Sequence, residues 1–257
     1  MAAIADGPAP GALALVGSGE YTAAMDGTDR ALLETLGGPG AAQVVVLPTA
    51  AGHEEPASPA RWAREGVEHF TRLGAQVQPA LILNRADAED PRWLDLLEAA
   101  NFYYFSGGDP QYLAATLAGS PTWDVIRRRY AAGAVLAGCS AGAMAFGGWI
   151  PNMRAAFTGR AADWHPALGI VPQLMVLPHF DRMANFIGRA VLWRMVQTAP
   201  SGACVIGVDE NTALVRFPAM ADSWQVWGQQ TVSVFDGPGN GGSTVYQTGQ
   251  AVVLPDT

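Results

Sequence analysis

Short apolar runs alternate with amphipathic segments along most of the chain. Each run is four to eight residues long, and most end in a turn of glycine or other small residues. This pattern is typical of strands that are buried on both faces of a parallel sheet. It predicts strands at Ala12–Val16, Gln43–Leu47, Gln76–Leu83, Asn101–Phe105, Ala134–Ala137 and Ala203–Val208.

Apolar side chains at helical spacing occupy the segments between these strands. Ser58 is the predicted N-cap of one helix, with Pro59 as its first helical residue and Gly74 after its end. The predicted helices are Thr28–Leu36, Ser58–Leu73, Asp109–Leu117, Pro121–Ala131 and Arg182–Gln197. Alternation of strands and helices over residues 12–210 predicts a three-layer, doubly wound α/β fold with a mostly parallel sheet.

After residue 210 the pattern changes to alternating apolar and polar residues, which is typical of half-buried antiparallel strands. The predicted strands are Trp224–Trp227, Thr231–Phe235 and Thr244–Tyr246, with Asp236–Gly242 as a glycine-rich loop. The sequence therefore predicts an antiparallel C-terminal extension. No internal linker or repeat divides the chain, so we expect a single domain over residues 1–257.

The chain is acidic, because its 257 residues carry 15 Lys and Arg against 23 Asp and Glu, a formal net charge of −8. A basic face is needed to contact phosphates, so we expect no nucleic-acid partner. An apolar content of 49% with 15% charged residues excludes intrinsic disorder. Two cysteines make no disulfide framework, and no apolar run reaches the roughly 20 residues of a membrane span. We therefore expect a soluble, cytoplasmic protein without a membrane partner.

The strongest chemical motif is Gly138-Cys139-Ser140-Ala141-Gly142, which follows a predicted strand and matches the G-x-S-x-G nucleophile elbow. In that turn a strained serine exposes its hydroxyl, the two glycines leave room, and the next N–H faces the developing oxyanion. Cys139 is the competing nucleophile. A cysteine elbow needs glycine two positions to either side, where this chain has Ala137 and Ala141. The spacing therefore favours Ser140 as nucleophile and Cys139 as a buried small side chain.

A serine hydroxyl needs a general base, and the chain has four histidines. His179 is favoured because it follows the apolar run Leu174–Leu177, and sites collect at the carboxyl ends of strands in open α/β sheets. His69 is expected on the surface of a helix, while His53 and His165 are expected in loops.

Asp209 and Glu210 follow the last predicted strand and are candidates for the acid that orients the base. Adjacent side chains on an extended strand point in opposite directions, so only one of them faces the site. The residues alone do not decide which.

Taken together, these segments resemble the serine peptidase family that contains dipeptidase E and cyanophycinase. The resemblance implies a class I glutamine-amidotransferase-like fold and a triad of Ser140, His179 and Glu210. It also implies oxyanion-binding N–H groups at Gly108 and Ala141. The matching motifs stand in the family's order: Gly17-Ser18-Gly19-Glu20, Leu47-Pro48-Thr49-Ala50, Phe105-Ser106-Gly107-Gly108-Asp109, Gly138–Ala143, His179-Phe180 and Gly207–Leu214.

Members of this family cleave very small peptides after an aspartyl residue or at a β-aspartyl linkage, so the implied partner is a small peptide substrate. A substrate carboxylate is best bound by an arginine. The chain departs from cyanophycinase-like members, with Gly-Gly-Asp-Pro-Gln and Leu-Pro-His-Phe in place of Gly-Gly-Asp-Gln and Asp-Gln-His-Phe. Cyanophycin itself is therefore not implied as substrate. Candidate substrate-binding residues are Asp109, Gln111, Arg182 and Arg189, with Arg154 and Arg160 as further arginines.

The histidines lie far apart and neither cysteine has a CxxC partner, so we expect no metal and no cofactor. The segment Gly147–Pro166, with interspersed aromatic and methionine residues, fits either a cap over the pocket or a homodimer contact. Two alternative functions stay open. One is a binding or assembly protein of the same fold without catalysis, and the other is an amidotransferase-like amidase that uses Cys139.

Overall fold

The computed structural model of the protein describes residues 9–152, 163–186, 188–220, 223–235 and 242–254. The strands are β1 (Leu13–Val16), β2 (Gln43–Leu47), β3 (Gln76–Pro79), β4 (Phe102–Phe105), β5 (Val135–Cys139), β6 (Trp149–Pro151), β7 (Trp164–Pro166), β8 (Leu174–Leu177), β9 (Cys204–Val208), β10 (Thr212–Arg216), β11 (Trp224–Gly228), β12 (Thr231–Phe235), β13 (Ser243–Gln247) and β14 (Ala251–Val252). The α-helices are α1 (Asp26–Glu34), α2 (Ala57–Arg72), α3 (Arg85–Glu89), α4 (Leu94–Ala99), α5 (Pro110–Leu117), α6 (Pro121–Ala131), α7 (Ala141–Phe146), α8 (Phe180–Phe186) and α9 (Arg189–Gln197). Single 3₁₀ turns cover Ala23–Met25, Pro39–Ala41, Thr49–Ala51, Pro91–Trp93 and Pro218–Met220.

An eight-stranded sheet forms the centre of the fold, in the order β14-β11-β10-β1-β5-β4-β2-β3. Strands β1, β5, β4, β2 and β3 pair in parallel, and β10, β11 and β14 continue the sheet with antiparallel pairs. The predicted run Gln76–Leu83 is a strand only as far as Pro79, at the sheet edge. The loops after β1, β5 and β4 are neighbours, because the carboxyl ends of parallel strands share one edge.

Helices cover both faces of this sheet, as the residues of β1 show. Leu13 and Leu15 belong to a core shared with α3 to α7, whereas Ala14 and Val16 belong to a second core shared with α1 and α2. All four side chains are fully buried. Burial on both faces explains why the strands are continuous apolar runs rather than alternating patterns. The predicted three-layer, mostly parallel α/β architecture is confirmed.

The last of the predicted parallel strands lies in a different sheet. β9 pairs in parallel with β8 and antiparallel with β12, in a four-stranded sheet of order β13-β12-β9-β8. The predicted antiparallel extension is divided, since β11 joins the central sheet while β12 and β13 join this second sheet. Residues 236–241 of the predicted loop lie outside the described residues. An apolar run indicates that a strand is buried but not which strand it pairs with. The hydrophobic pattern therefore could not show that the strands belong to two sheets.

Two predicted helix boundaries were wrong. α2 begins at Ala57, and the Ser58 hydroxyl donates to the carboxylate of Glu54 at 2.6 Å instead of capping the helix. The predicted helix over residues 182–197 is divided into α8 and α9, because Gly188 takes a φ of +77° between them. Helices α3 and α4 were not predicted, since they are too short to show a helical period.

A buried hydrogen bond between His69 and Asp29 joins α1 and α2, and it corrects the predicted surface position of His69. His69 is 3% exposed, and its Nε2 lies 2.8 Å from Oδ2 of the fully buried Asp29. Arg72 contacts Nδ1 of His69 at 3.1 Å and binds both oxygens of Asp26. Burial raises the pKa of the Asp29 carboxyl, and the hydrogen bond from His69 opposes that shift.

We expect His69→Ala to lower the free energy of unfolding by about 3–5 kcal/mol, because it leaves Asp29 buried without its partner. Loss of the His69 hydrogen bond raises the folded-state pKa of Asp29 further, so the deficit should grow as the pH rises above the already raised wild-type pKa, where only the wild-type carboxyl ionises readily. Urea denaturation at several pH values measures both effects. Arg64→Ala is the control, because the Arg64–Glu68 pair on the same helix is exposed and contributes little. Equal losses in the two variants would contradict a buried pair.

Candidate active site

Ser140 lies at the sharp turn between β5 and α7, as the elbow motif predicted. Its φ of +50° and ψ of −107° fall outside the conformations that L residues favour. The two glycines of the motif, Gly138 and Gly142, are closely packed against neighbouring backbone at this turn. A Cβ on Gly138 would lie 2.5 Å from the carbonyl carbon of Gly142, and a Cβ on Gly142 would lie 2.8 Å from the carbonyl oxygen of Phe105. No larger residue fits at either position without moving the backbone.

His179 approaches Ser140 from the second sheet. It follows β8, takes a φ of +49°, and places its Nε2 at 3.1 Å from Ser140 Oγ. Because β9 runs parallel to β8, the residues after β9 emerge beside it. There, Glu210 Oε1 lies 3.0 Å from Nδ1 of His179. Three turns from two sheets thus form one hydrogen-bond chain from a hydroxyl to a carboxylate.

Neighbouring groups hold Glu210 in place. Its N–H donates to Asp181 Oδ1 at 2.9 Å, and its carbonyl accepts from Gln230 Nε2 at 2.9 Å. The second carboxylate oxygen, Oε2, lies 2.8 Å from Nε of Arg182, and the side chain is only 16% exposed. The carboxylate that contacts the histidine is therefore fixed by partners on both its backbone and its side chain.

Asp209 points away from the histidine, toward β12. Its Oδ2 accepts the N–H of Thr231 at 3.1 Å and the Thr231 hydroxyl at 2.5 Å. Burial raises the pKa of Asp209, and the Thr231 hydrogen bonds oppose that shift. The two adjacent carboxylates diverge, as the strand argument predicted, and Glu210 is the one at the site.

Two backbone N–H groups beside Ser140 have no protein acceptor within the described residues, those of Gly108 and Ala141. Ala141 is the first residue of α7, where helix N–H groups are left unpaired. Gly108 takes a φ of +143°, and a Cβ there would lie 2.4 Å from the carbonyl oxygen of Ala50. Only glycine fits at that position. Both N–H groups are therefore available to an acceptor from outside the chain.

Packing against β9 fixes the start of α8, next to His179. A Cβ on Gly207 would lie 2.4 Å from ring atoms of Phe180, so the ring lies directly on the strand backbone. The same ring meets Phe235 edge-on, with 5.6 Å between centroids. The position of Phe180, and with it that of His179, depends on the missing side chain at residue 207.

Glu20, in the loop after β1, is a site residue that sequence reasoning missed. It is 9% exposed and accepts the Gly107 N–H at 2.9 Å and the Cys139 thiol at 2.9 Å. The feature of the sequence that could have indicated a role is an acidic residue in a glycine-rich loop at a strand end. The partners of Glu20 are distant in sequence, so this feature does not show what the carboxylate binds.

The predicted substrate-binding residues Asp109 and Gln111 lie beside Gly108, at the start of α5. Asp109 caps this helix, since its Oδ1 accepts the N–H groups of Gln111 and Tyr112 at 2.8 and 3.0 Å. A cavity of about 610 Å³ opens here. Its walls include Glu54, Gly108, Asp109, Gln111, Pro151 and Asn152.

The candidate arginines differ in position. Arg182 lies at the site, bound to Glu210, with 74% of its side chain exposed. Arg189 is the first residue of α9. Arg154 and Arg160 lie outside the described residues, as does most of the segment between β6 and β7.

Within the described residues, neither His53 nor His165 is hydrogen-bonded to Ser140, unlike His179. His53 lies 3.8 Å from Asp109 Oδ2, with both side chains partly exposed. His165 was predicted in a loop but lies in β7. Within the described ranges, no cluster of three or more His, Cys, Asp or Glu side chains is arranged to bind a metal ion. None of the helices in that part of the chain is long and apolar enough to cross a membrane.

Cys139 is fully buried, and burial together with the charge of Glu20 raises the pKa of its thiol well above the ordinary value. We expect iodoacetamide at pH 8 to leave Cys139 unmodified in the folded protein and to alkylate it after unfolding, because the thiolate is the reactive form. Mass spectrometry of tryptic peptides measures this. Cys204, whose pKa burial raises to about 11, is the internal comparison. Rapid alkylation of Cys139 alone in the folded state would restore it as a candidate nucleophile.

The chain is similar to known peptidases over most of its length. The sequence model of peptidase family S51 matches residues 13–220. A cyanophycinase from Trichormus variabilis is 29% identical over 222 residues, which cover 80% of this chain and 68% of the relative. The crystal structure of a peptidase from an acI-B1 actinobacterium is 33% identical, with a TM-score of 0.85 over 96% of this chain and 98% of that one. A candidate peptidase E protein from Listeria monocytogenes, at 17% identity and a TM-score of 0.56, shares the fold over 93% of this chain and 99% of its own. Because the family model covers well over half of the chain, the protein belongs to peptidase family S51 and is a serine-type peptidase.

Proposed function

We propose that Ser140, His179 and Glu210 form the catalytic triad of this peptidase. The observation that carries the proposal is the unbroken hydrogen-bond chain from Ser140 Oγ through Nε2 and Nδ1 of His179 to Glu210 Oε1, at 3.1 and 3.0 Å. A serine hydroxyl is a weak nucleophile alone, and an oriented imidazole activates it. The strained φ of Ser140 supports the same assignment, because such strain is typical of a nucleophile elbow.

In this mechanism Ser140 Oγ attacks the carbonyl carbon of the scissile bond while Nε2 of His179 takes the hydroxyl proton. The proton passes to the leaving amine as the C–N bond breaks, which leaves an acyl-enzyme. Water then attacks the ester, gives a proton to His179, and the Ser140 hydroxyl is regenerated. Glu210 accepts the Nδ1–H and so keeps Nε2 unprotonated, while Arg182 holds its other oxygen.

Gly108 and Ala141 are the proposed oxyanion donors. Their support is that both N–H groups lack a protein acceptor and follow β4 and β5, which are adjacent parallel strands. Donors that are fixed before the charge develops need no reorganisation during the reaction. Removal of one such donor costs about 10²–10³ in kcat in other hydrolases.

The proposed substrate is a small peptide with an aspartyl or β-aspartyl bond. Its support is the family, with curated cyanophycinases among the relatives. Arg182 is the candidate cation for a substrate carboxylate, because its exposed guanidinium lies beside Glu210 and offers several N–H donors. The cavity beside Gly108 offers space for the rest of a short peptide.

The test is the hydrolysis of Asp-X dipeptides, β-Asp-X dipeptides and neutral acyl peptides, measured by amine release. We expect turnover of aspartyl peptides, and a loss of roughly 10⁶-fold in kcat or to the detection limit in Ser140→Ala, because the attacking oxygen is removed. Ser233→Ala is the control, since this buried serine lies on β12. Full activity of Ser140→Ala would overturn the triad. Turnover of neutral peptides alone would overturn only the substrate class, and no turnover or acyl-enzyme at all would favour a non-catalytic binding protein.

A second variant tests the position of the base. We expect Gly207→Ala to lower kcat/KM by about 10²-fold, because the new Cβ would displace Phe180 and shift His179 from Ser140. Peptide hydrolysis with thermal melts measures the effect. Gly27→Ala is the matched control, since a Cβ at this helical glycine meets nothing within 4 Å. A folded Gly207→Ala protein with unchanged kcat/KM would show that His179 does not depend on this packing.

A further inference from the structure

We infer that Glu20 is a positioning residue of this peptidase, which holds the Gly107-Gly108 turn and the nucleophile turn in register for oxyanion binding. The inference rests on the proposed function and deepens it, because it concerns the same oxyanion hole. Glu20 lies in the Gly17-Ser18-Gly19-Glu20 motif, to which the triad assigns no role.

The carboxylate of Glu20 spans the end of β5. This strand, which ends at Cys139, lies between β1 and β4 in the sheet. Glu20 follows β1 and reaches across to the loop after β4, where its Oε1 accepts the Gly107 N–H at 2.9 Å. Its Oε2 accepts the Cys139 thiol at 2.9 Å. One side chain therefore joins the ends of three adjacent strands.

The first of these bonds fixes the peptide group next to the Gly108 N–H. The N–H before it, on Gly107, is held by Glu20, and the N–H after it, on Asp109, donates to the carbonyl of Ala50 at 2.8 Å. The Gly108 N–H between these anchors has no protein acceptor within the described residues. These two bonds fix the peptide groups on either side of the Gly107–Gly108 peptide, and Gly108 itself packs closely against the backbone of Ala50. We expect this packing to keep the Gly108 donor unpaired and preorganised.

The second bond connects the nucleophile turn to the same carboxylate. Cys139 directly precedes Ser140, and its thiol stays protonated at neutral pH because burial and Glu20 raise its pKa. A Cβ placed on Gly107 would lie 3.0 Å from Glu20 Oε1 and 3.5 Å from Ser140 Cβ. The carboxylate, the oxyanion loop and the nucleophile thus lie in direct packing contact. Cys139 is a hydrogen-bond donor as well as a buried small side chain.

The loop that carries Glu20 is itself tightly packed. A Cβ on Gly17 would lie 2.1 Å from the Asp209 carbonyl oxygen, and a Cβ on Gly19, at a φ of +84°, would lie 2.2 Å from Asn211 Oδ1. The two glycines therefore press the loop against the turn that contains Glu210. Because this loop is held in place, the Glu20 carboxylate is held in place too, and it restrains the positions of Gly107 and Cys139.

Sheet stability alone does not require this arrangement. β1, β5 and β4 are already joined by parallel ladders along their whole length. Glu20 adds bonds only at the end of β5 and in the loop after β4, next to the proposed catalytic turns. A buried carboxylate also carries a desolvation cost, which its bonds to these turns offset.

The experiment compares Glu20→Ala, Glu20→Gln, Cys139→Ala and Cys139→Ser. It measures kcat and KM for an aspartyl peptide, the affinity of a peptide boronate that forms a tetrahedral adduct with Ser140, and peptide binding in a Ser140→Ala background. In Glu20→Ala we expect kcat and boronate affinity to fall together by about 10²-fold, with KM and peptide binding unchanged, because the donors act on the tetrahedral state. Glu20→Gln keeps an acceptor for Gly107, and Cys139→Ser keeps a donor, so each should lose less than the matching alanine variant.

Asp29→Asn is the control for the loss of a buried carboxylate, because Asp29 lies between α1 and α2 and pairs with His69. We expect it to lower Tm without changing kcat. If Glu20→Ala does not fold, Glu20→Gln and Cys139→Ala decide whether the link to the nucleophile turn matters, since both remove the bond between the Cys139 thiol and Glu20. Folded variants that lose only Tm, or change only KM, would overturn the role of Glu20 and leave the triad standing. A wild-type protein that neither cleaves peptides nor binds the boronate at Ser140 would overturn the triad and the role of Glu20 together.

Discussion

The site depends on the short turn of Asp209, Glu210 and Asn211, which connects β9 in the second sheet to β10 in the central sheet. Because β10 pairs with β1, and β1 with β5, this turn lies at the edge where Ser140 emerges. β8 pairs with β9, so His179 is carried to the same place. A three-residue connection has little freedom to vary its length or direction. It therefore brings the edges of two separately paired sheets together at the proposed triad.

Backbone strain is concentrated around that edge. The non-glycine residues with positive φ in the described part of the chain are Tyr21, Ser140, His179 and Asn211, with values of 49° to 64°. Each such conformation costs on the order of 1–3 kcal/mol and persists only when the surroundings enforce it. Here the surroundings are glycines packed against backbone, at positions 17, 19, 138, 142 and 207. The glycines of the motifs thus support the proposed site, because their close packing holds the strained residues in place.

The sequence close to a residue was enough to predict the candidate site residues that directly follow a strand. Ser140 was predicted from the spacing of its glycines, and His179 from the apolar run before it. The choice of Glu210 over Asp209 needed the family resemblance, because the partner that turns Asp209 away, Thr231, comes 22 residues later. The burial of His69 depends on an acid 40 residues away. Hydrophobic periodicity describes only the segment in which a residue lies. It therefore could not predict polar partners that are distant in sequence or the division of the strands into two sheets.

The contacts of Glu20 have a consequence for when the enzyme becomes active. Its partners lie 87 and 119 residues along the chain. In the proposed triad, His179 lies 39 residues beyond Ser140, and Glu210 a further 31. Contacts between such distant segments are established late, because their loop-closure entropy must first be offset. A nascent or partly folded chain therefore carries the nucleophile without a working site. We therefore expect hydrolytic activity to appear only when the fold is complete.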